Sequence, residues 1–67
     1  MLSYEPFWKT IKEKSLTSYA LTKKFNVKKT TLYRMEKCMP MTTATWDDLC
    51  RILNCGIQDI VCYLPDI

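Results

Sequence analysis

The sequence predicts an all-α fold of five short helices, packed as one domain over residues 1–67. Three observations lead there. Apolar residues recur at i, i+3, i+4 and i+7 in separate stretches, which places them on one face of a helix. Residues that cap or stop helices stand between those stretches. No stretch reads as a strand.

The first helix is predicted from Glu5 to Lys14, with Tyr4, Phe7, Trp8 and Ile11 as its apolar stripe. Ser3 is placed to cap its start, and Pro6 is tolerated in the first turn. Lys12 and Lys14 suit its C-terminal end, where the helix dipole is negative. Thr17 is a good N-cap for a second helix, Ser18 to Phe25, with Leu21 and Phe25 on one face. Asn26 follows where the chain must turn, and asparagine accepts a left-handed backbone at modest cost. Val27 then packs inward, and a third helix runs from Lys28 to Lys37.

Cys38 to Thr42 reads as a loop broken by Pro40. Thr42 or Thr43 starts the fourth helix, whose dipole Asp47 and Asp48 favour and whose stripe is Trp46, Leu49, Cys50 and Leu53. Asn54 and Gly56 are expected to stop it through positive φ. Ile57, Ile60, Val61 and Leu64 form the stripe of a short fifth helix ended by Pro65. Trp8 and Trp46 are expected in the core.

A chain of 67 residues buries only roughly 60% of the surface it exposes when unfolded, so its core has little surplus. With 48% hydrophobic and 25% charged residues it is nonetheless globular rather than disordered. Its charge is lopsided. Residues 1–37 hold nine Lys/Arg against Glu5, Glu13 and Glu36, a balance of +6. Residues 38–67 hold Arg51 against Asp47, Asp48, Asp59 and Asp66, a balance of −3. A basic half joined to an acidic half suggests a surface that faces a polyanion.

Cys38, Cys50, Cys55 and Cys62 contain no C-x-x-C pair, and the chain has no histidine, so the spacing of a zinc site is missing. No cofactor and no metal are expected. Met1 to Pro6 lacks the apolar core of a signal peptide, and the longest apolar run, Ile60 to Leu64, is far too short to span a bilayer. Reduced thiols in a cytoplasmic protein are the expectation.

The third helix concentrates the functional signal. At about 100° per residue, Leu32 and Met35 fall on one side. Lys29, Thr30, Tyr33, Arg34 and Lys37 fall on the other, which carries no acidic residue; Glu36 lies on the flank. Arginine and lysine donate to guanine O6 and N7, threonine bonds a base or touches a thymine methyl, and tyrosine reaches phosphates or base edges. The B-DNA major groove, about 12 Å wide, accepts such a helix. Lys28 and Lys29 add charge to a helix N-terminus that already favours a phosphate.

The stretch from Leu16 to Cys38, LTSYALTKKFNVKKTTLYRMEKC, resembles the helix-turn-helix of the Cro/phage-repressor (XRE-like) family of DNA-binding proteins. Leu21, Phe25, Val27, Leu32 and Met35 stand where that family has apolar residues, and Tyr33 to Lys37 resembles the usual close of its recognition helix. The resemblance implies a compact five-helix repressor-like DNA-binding domain, with helices two and three as the helix-turn-helix. It implies base reading by Lys29, Thr30 and Arg34, which Tyr33 joins on the same face. It implies phosphate contacts by Thr17, Ser18 and Lys37 and by the loop near Thr42 and Thr43. Ser18 stands where many members have a glutamine, Thr22 where a small alanine is usual, and Asn26 where the turn glycine is usual.

Together these features predict a sequence-specific transcriptional regulator, a repressor that binds double-stranded DNA as a homodimer. A second expectation is a protein-interaction module, antitoxin-like or an anti-regulator, docking through the acidic C-terminal half with Met39, Met41 and Tyr63. An enzyme is not expected. The chain has no histidine and no glycine-rich phosphate loop, and its carboxylates are not paired by the helix pattern.

Overall fold

In the computed structural model, which describes residues 1–65, the chain runs β1 (Leu2–Ser3), α1 (Glu5–Glu13), α2 (Ser18–Lys24), α3 (Lys29–Glu36) and α4 (Thr43–Leu53). A 3-10 turn (Ile57–Asp59) and β2 (Cys62–Tyr63) complete it. Asp66, counted above in the acidic half, lies outside the described residues. Four α-helices form the body, one fewer than the sequence predicts.

The missing helix is the last one. Its stripe makes a single 3-10 turn, in which the Gly56 N–H donates to Asp59 Oδ2 at 3.3 Å, and the chain then extends. Ile60 is fully buried, while Ile57 and Leu64 are about half exposed. The extended end pairs antiparallel with β1, Leu2 opposite Tyr63 and Ser3 opposite Cys62. The Leu64 N–H adds a bond to the Met1 carbonyl at 2.8 Å. A helix of one or two turns is marginal alone, and a strand partner waiting at the other end of the chain outcompetes it.

Helix starts follow their capping residues. Thr17 Oγ1 accepts from the Ala20 N–H at 3.1 Å, and Thr42 Oγ1 from the Thr45 N–H at 3.4 Å. At α1 the flanking residue is Tyr4, whose side chain makes no cap; Ser3 Oγ instead accepts from the Glu5 N–H at 3.3 Å from one position earlier.

Every α-helix ends at a left-handed residue, and none of the four is glycine: Ser15 (φ 57°), Asn26 (57°), Cys38 (56°) and Asn54 (53°). Gly56, expected to act as a positive-φ stop, is extended at φ −87°. Three of the ends are Schellman closures, in which the two N–H groups at the stop reach back to helix carbonyls five and three residues earlier. Leu16 bonds Ile11 (2.7 Å), Met39 bonds Arg34 (2.9 Å) and Cys55 bonds Cys50 (3.0 Å).

Tyr4, Phe7, Ile11, Leu21, Val27, Leu32, Met35, Leu49, Leu53 and Ile60 make one core. Trp8 and Trp46 are not inside it. Both are half-buried and pack against its edge, Trp8 edge-on to Phe7 with ring centroids 4.9 Å apart. Phe25 also departs from expectation. Because α2 closes at Lys24, Phe25 falls at the C-cap and is 38% exposed, and Val27 fills the inward place while its N–H bonds the Leu21 carbonyl at 3.1 Å. Two long-range ties brace α1: Tyr4 donates to the Met39 carbonyl and Thr10 to the Asp59 carbonyl, at 2.8 and 2.9 Å. Among the described residues, no helix is long and apolar enough to cross a membrane.

Candidate nucleic-acid interface

α2, the Asn26 turn and α3 form two helices locked by their inner faces. Leu21 (0% exposed), Val27 (8%), Leu32 (7%) and Met35 (1%) make the lock. Burying a leucine or methionine side chain stabilises by roughly 1.5–3 kcal/mol, so these residues fix how α3 is rolled about its axis. Lys29, Thr30, Tyr33, Arg34 and Lys37 therefore lie on the outer side, all exposed. Thr31, between the two sides, is half-buried.

The outer ridge of α3 stands between two grooves. One, about 460 Å³, is lined by Trp8, Ser18, Tyr19, Thr22, Lys29, Leu32, Tyr33 and Glu36. The other, about 550 Å³, has Lys28, Thr30, Thr31 and Arg34 on the α3 side and Thr45, Asp48, Leu49, Arg51 and Ile52 on the α4 side, closed by Phe25, Asn26 and Val27. The residues singled out in the sequence are thus divided. Ser18, Lys29 and Tyr33 face the α2 side; Lys28, Thr30 and Arg34 face the α4 side. Thr17, Lys37, Thr42 and Thr43 line neither groove and are exposed at helix boundaries.

The charges on this surface are available. Among the described residues, side-chain ion pairs gather on α4, where exposed Arg51 meets Asp47 at 2.5 Å and Asp48 at 3.6 Å. Among the described residues, the lysines and arginine of α2, of α3 and of the α3 C-cap take no carboxylate partner. Two of them rest on tyrosine rings instead, Lys37 on Tyr33 and Lys23 on Tyr19, each with Nζ 5.7 Å from the ring centroid. Such contacts at exposed sites hold a cation by only about 0.5–1 kcal/mol, weak enough to yield to a phosphate.

The capping threonines retain donor capacity. A hydroxyl has one donor and two acceptor lone pairs. Thr17 Oγ1 spends one acceptor on Ala20, which leaves its O–H to donate outward. Thr42 Oγ1 lies 3.1 Å from Thr45 Oγ1, so one of these two hydroxyls is already engaged. Thr22, at the usual alanine position, satisfies its hydroxyl within α2 by donating to the Tyr19 carbonyl at 2.9 Å.

Sequence reasoning missed Tyr19, which is 71% exposed and walls the α2 groove. The signal was its i, i+4 spacing to Lys23, on the side of α2 away from Leu21. Asp48 and Arg51, which wall the α4 groove, enter the sequence reading only as a dipole-favouring charge and as part of the charge balance.

Comparison with known proteins agrees with the helix-turn-helix fold. The Cro/C1-type HTH DNA-binding domain matches residues 7–66. Among solved structures, the crystal structure of the transcriptional regulator VanUg (Form II) is similar with a TM-score of 0.85 and 26% sequence identity, covering 97% of this chain and 87% of that one. No curated protein matches the chain. Four helices, a left-handed Asn26 turn and a family match across sixty of its residues have one reading: the chain belongs to the Cro/C1-type helix-turn-helix DNA-binding domain family.

Proposed function

We propose that this protein is a sequence-specific transcriptional regulator, a cytoplasmic repressor that occupies operator DNA with α3 in the major groove. The 67 residues act as one DNA-binding unit. Lys29, Thr30, Tyr33 and Arg34 read base edges. Thr17, Ser18, Lys28, Lys37, Thr42 and Thr43 hold the sugar-phosphate backbone. The observation that carries this reading is the outer face of α3: exposed, cationic and hydroxyl-bearing, with Leu32 and Met35 buried directly behind it. A module this small reads only a few base pairs. It therefore works as a homodimer on two half-sites about 34 Å apart or a multiple of it.

The test is selection of bound sites from a random duplex library, followed by gel-shift titration of the winners over a range of salt. The winners are expected to be two-fold symmetric, and log affinity is expected to fall linearly with log salt. Failure to bind any duplex in dilute buffer would overturn the reading.

Exposed apolar residues in the C-terminal half favour a second one. Met39, Ile57, Tyr63 and Leu64 are each at least 42% exposed, in the half that carries the acidic balance. A protein-interaction role would appear as salt-insensitive co-purification of a protein partner, with no DNA binding at low salt.

A further inference from the structure

The closure at the end of α4 differs in chemistry from its counterpart at the end of α1. A Schellman closure brings together two side chains, that of the residue whose carbonyl accepts the long bond and that of the residue whose N–H gives it, and their contact is usually apolar. At α1 those residues are Ile11 and Leu16, one in the core and the other packed on it. At α4 they are Cys50 and Cys55. Both are half-buried free thiols packed against the core.

We propose that Cys50 and Cys55 are a redox pair that closes to an intramolecular disulfide, a staple across the C-terminal end of α4. The backbone is already set for it. The Cys55 N–H bonds the Cys50 carbonyl at 3.0 Å, and the left-handed Asn54 directs the chain back over the helix end. A disulfide takes Cα atoms about 4.4–6.8 Å apart, and residues joined by a backbone hydrogen bond lie in about that range. Cys38, at the left-handed stop of α3, and Cys62, on β2, have no such closure between them.

The oxidant is a small-molecule disulfide of the glutathione class. One cysteine, as thiolate, attacks a sulfur of oxidised glutathione; the S–S bond breaks and one glutathione thiolate leaves. The second cysteine, as thiolate, attacks the protein sulfur of the mixed disulfide and expels the other glutathione. The protein loses two thiol hydrogens and two electrons, and the small disulfide becomes two thiols. Burial first, and then the neighbouring Cys50, push the Cys55 thiol above its ordinary pKa. Closure is therefore slow near neutrality and faster as pH rises, because the thiolate is the nucleophile.

The test uses the full chain carrying Cys38→Ser and Cys62→Ser, incubated with oxidised glutathione at neutral and alkaline pH and read by intact mass. The expected product is a monomer lighter by two hydrogens, forming faster at the higher pH and reverting with dithiothreitol. Its Tm is expected about 4–8 °C above that of the reduced form. Cys50→Ser and Cys55→Ser, made singly in the otherwise natural chain, are each expected to abolish that product. These single variants decide the matter even where the double variant does not fold. A stable glutathione adduct, a disulfide-linked dimer, or the lighter monomer persisting in either single variant would overturn the proposal.

Discussion

The Tyr4 hydroxyl donates to the Met39 carbonyl at 2.8 Å, joining the start of α1 to the loop that leaves α3. Tyr4 is 1% exposed, so this bond is made inside the protein and links two segments 35 positions apart. Tyr4→Phe keeps the ring and removes only the donor. The expected cost is about 1 kcal/mol, seen as a lower denaturation midpoint with an unchanged m-value. An unchanged midpoint would mean that water replaces the hydroxyl at no loss.

The left-handed stops make a second prediction of opposite sign. A residue with a Cβ pays roughly 1–2 kcal/mol in that conformation, less for asparagine, and glycine avoids it while losing more entropy on folding. Ser15 is exposed, so Ser15→Gly is expected to stabilise by about 0.5–1 kcal/mol. Asn54→Ala is expected to destabilise by a similar amount. Thermal melts of the two variants should move in opposite directions.

On DNA, Arg34 of α3 and Lys37 at its C-cap are expected to behave differently. Arg34→Ala should cost about 1–3 kcal/mol on the selected site and relax preference at one base pair. Lys37→Ala should weaken all duplexes alike and reduce the salt slope by about 1. Equal losses on specific and unrelated duplexes for Arg34→Ala would reassign it to the backbone.

Thr17 caps α2 and, in the proposed function, also holds a phosphate, and two measurements separate these roles. Loss of its cap on α2 in Thr17→Ala should lower stability by about 1 kcal/mol. Thr17→Asp restores a cap but opposes a phosphate. It should therefore recover stability and still bind DNA poorly. Recovery of both properties would leave Thr17 as a cap alone.

Alkaline pH acts through Cys55. Its thiol is raised in the folded state, so folding favours the protonated form. The resulting stability is complete below the free-thiol value and declines as pH rises through the higher folded value. Reduced protein should lose stability in that alkaline window, and Cys55→Ala should flatten the loss.

Much of this was legible because it is local. The stripes of α1 and α4 lie within a few turns, and Thr17, Asn26, Thr42 and Asn54 act on backbone next to them. The outward set on α3 follows from Leu32 and Met35 alone. What periodicity could not carry was the far end. Ile57, Ile60, Val61 and Leu64 have helical spacing, yet the chain makes one 3-10 turn and then pairs Cys62 and Tyr63 with Ser3 and Leu2. Phe25 was misplaced because α2 stops one residue earlier than its apolar spacing suggests. The division of the site between two grooves depends on how α2 and α4 flank α3, which no spacing within α3 encodes.

The pairing of β1 with β2 bears on how the molecule breathes. Met1 and Leu64, bonded in both directions, are 63 positions apart, so their meeting closes a loop of almost the whole chain. Such a contact forms late and, carried by two-residue strands, opens early. Deuterium should enter the amides of this clasp well before those of Leu32 or Leu49, and β1 and β2 should fray together while the helices stay shut.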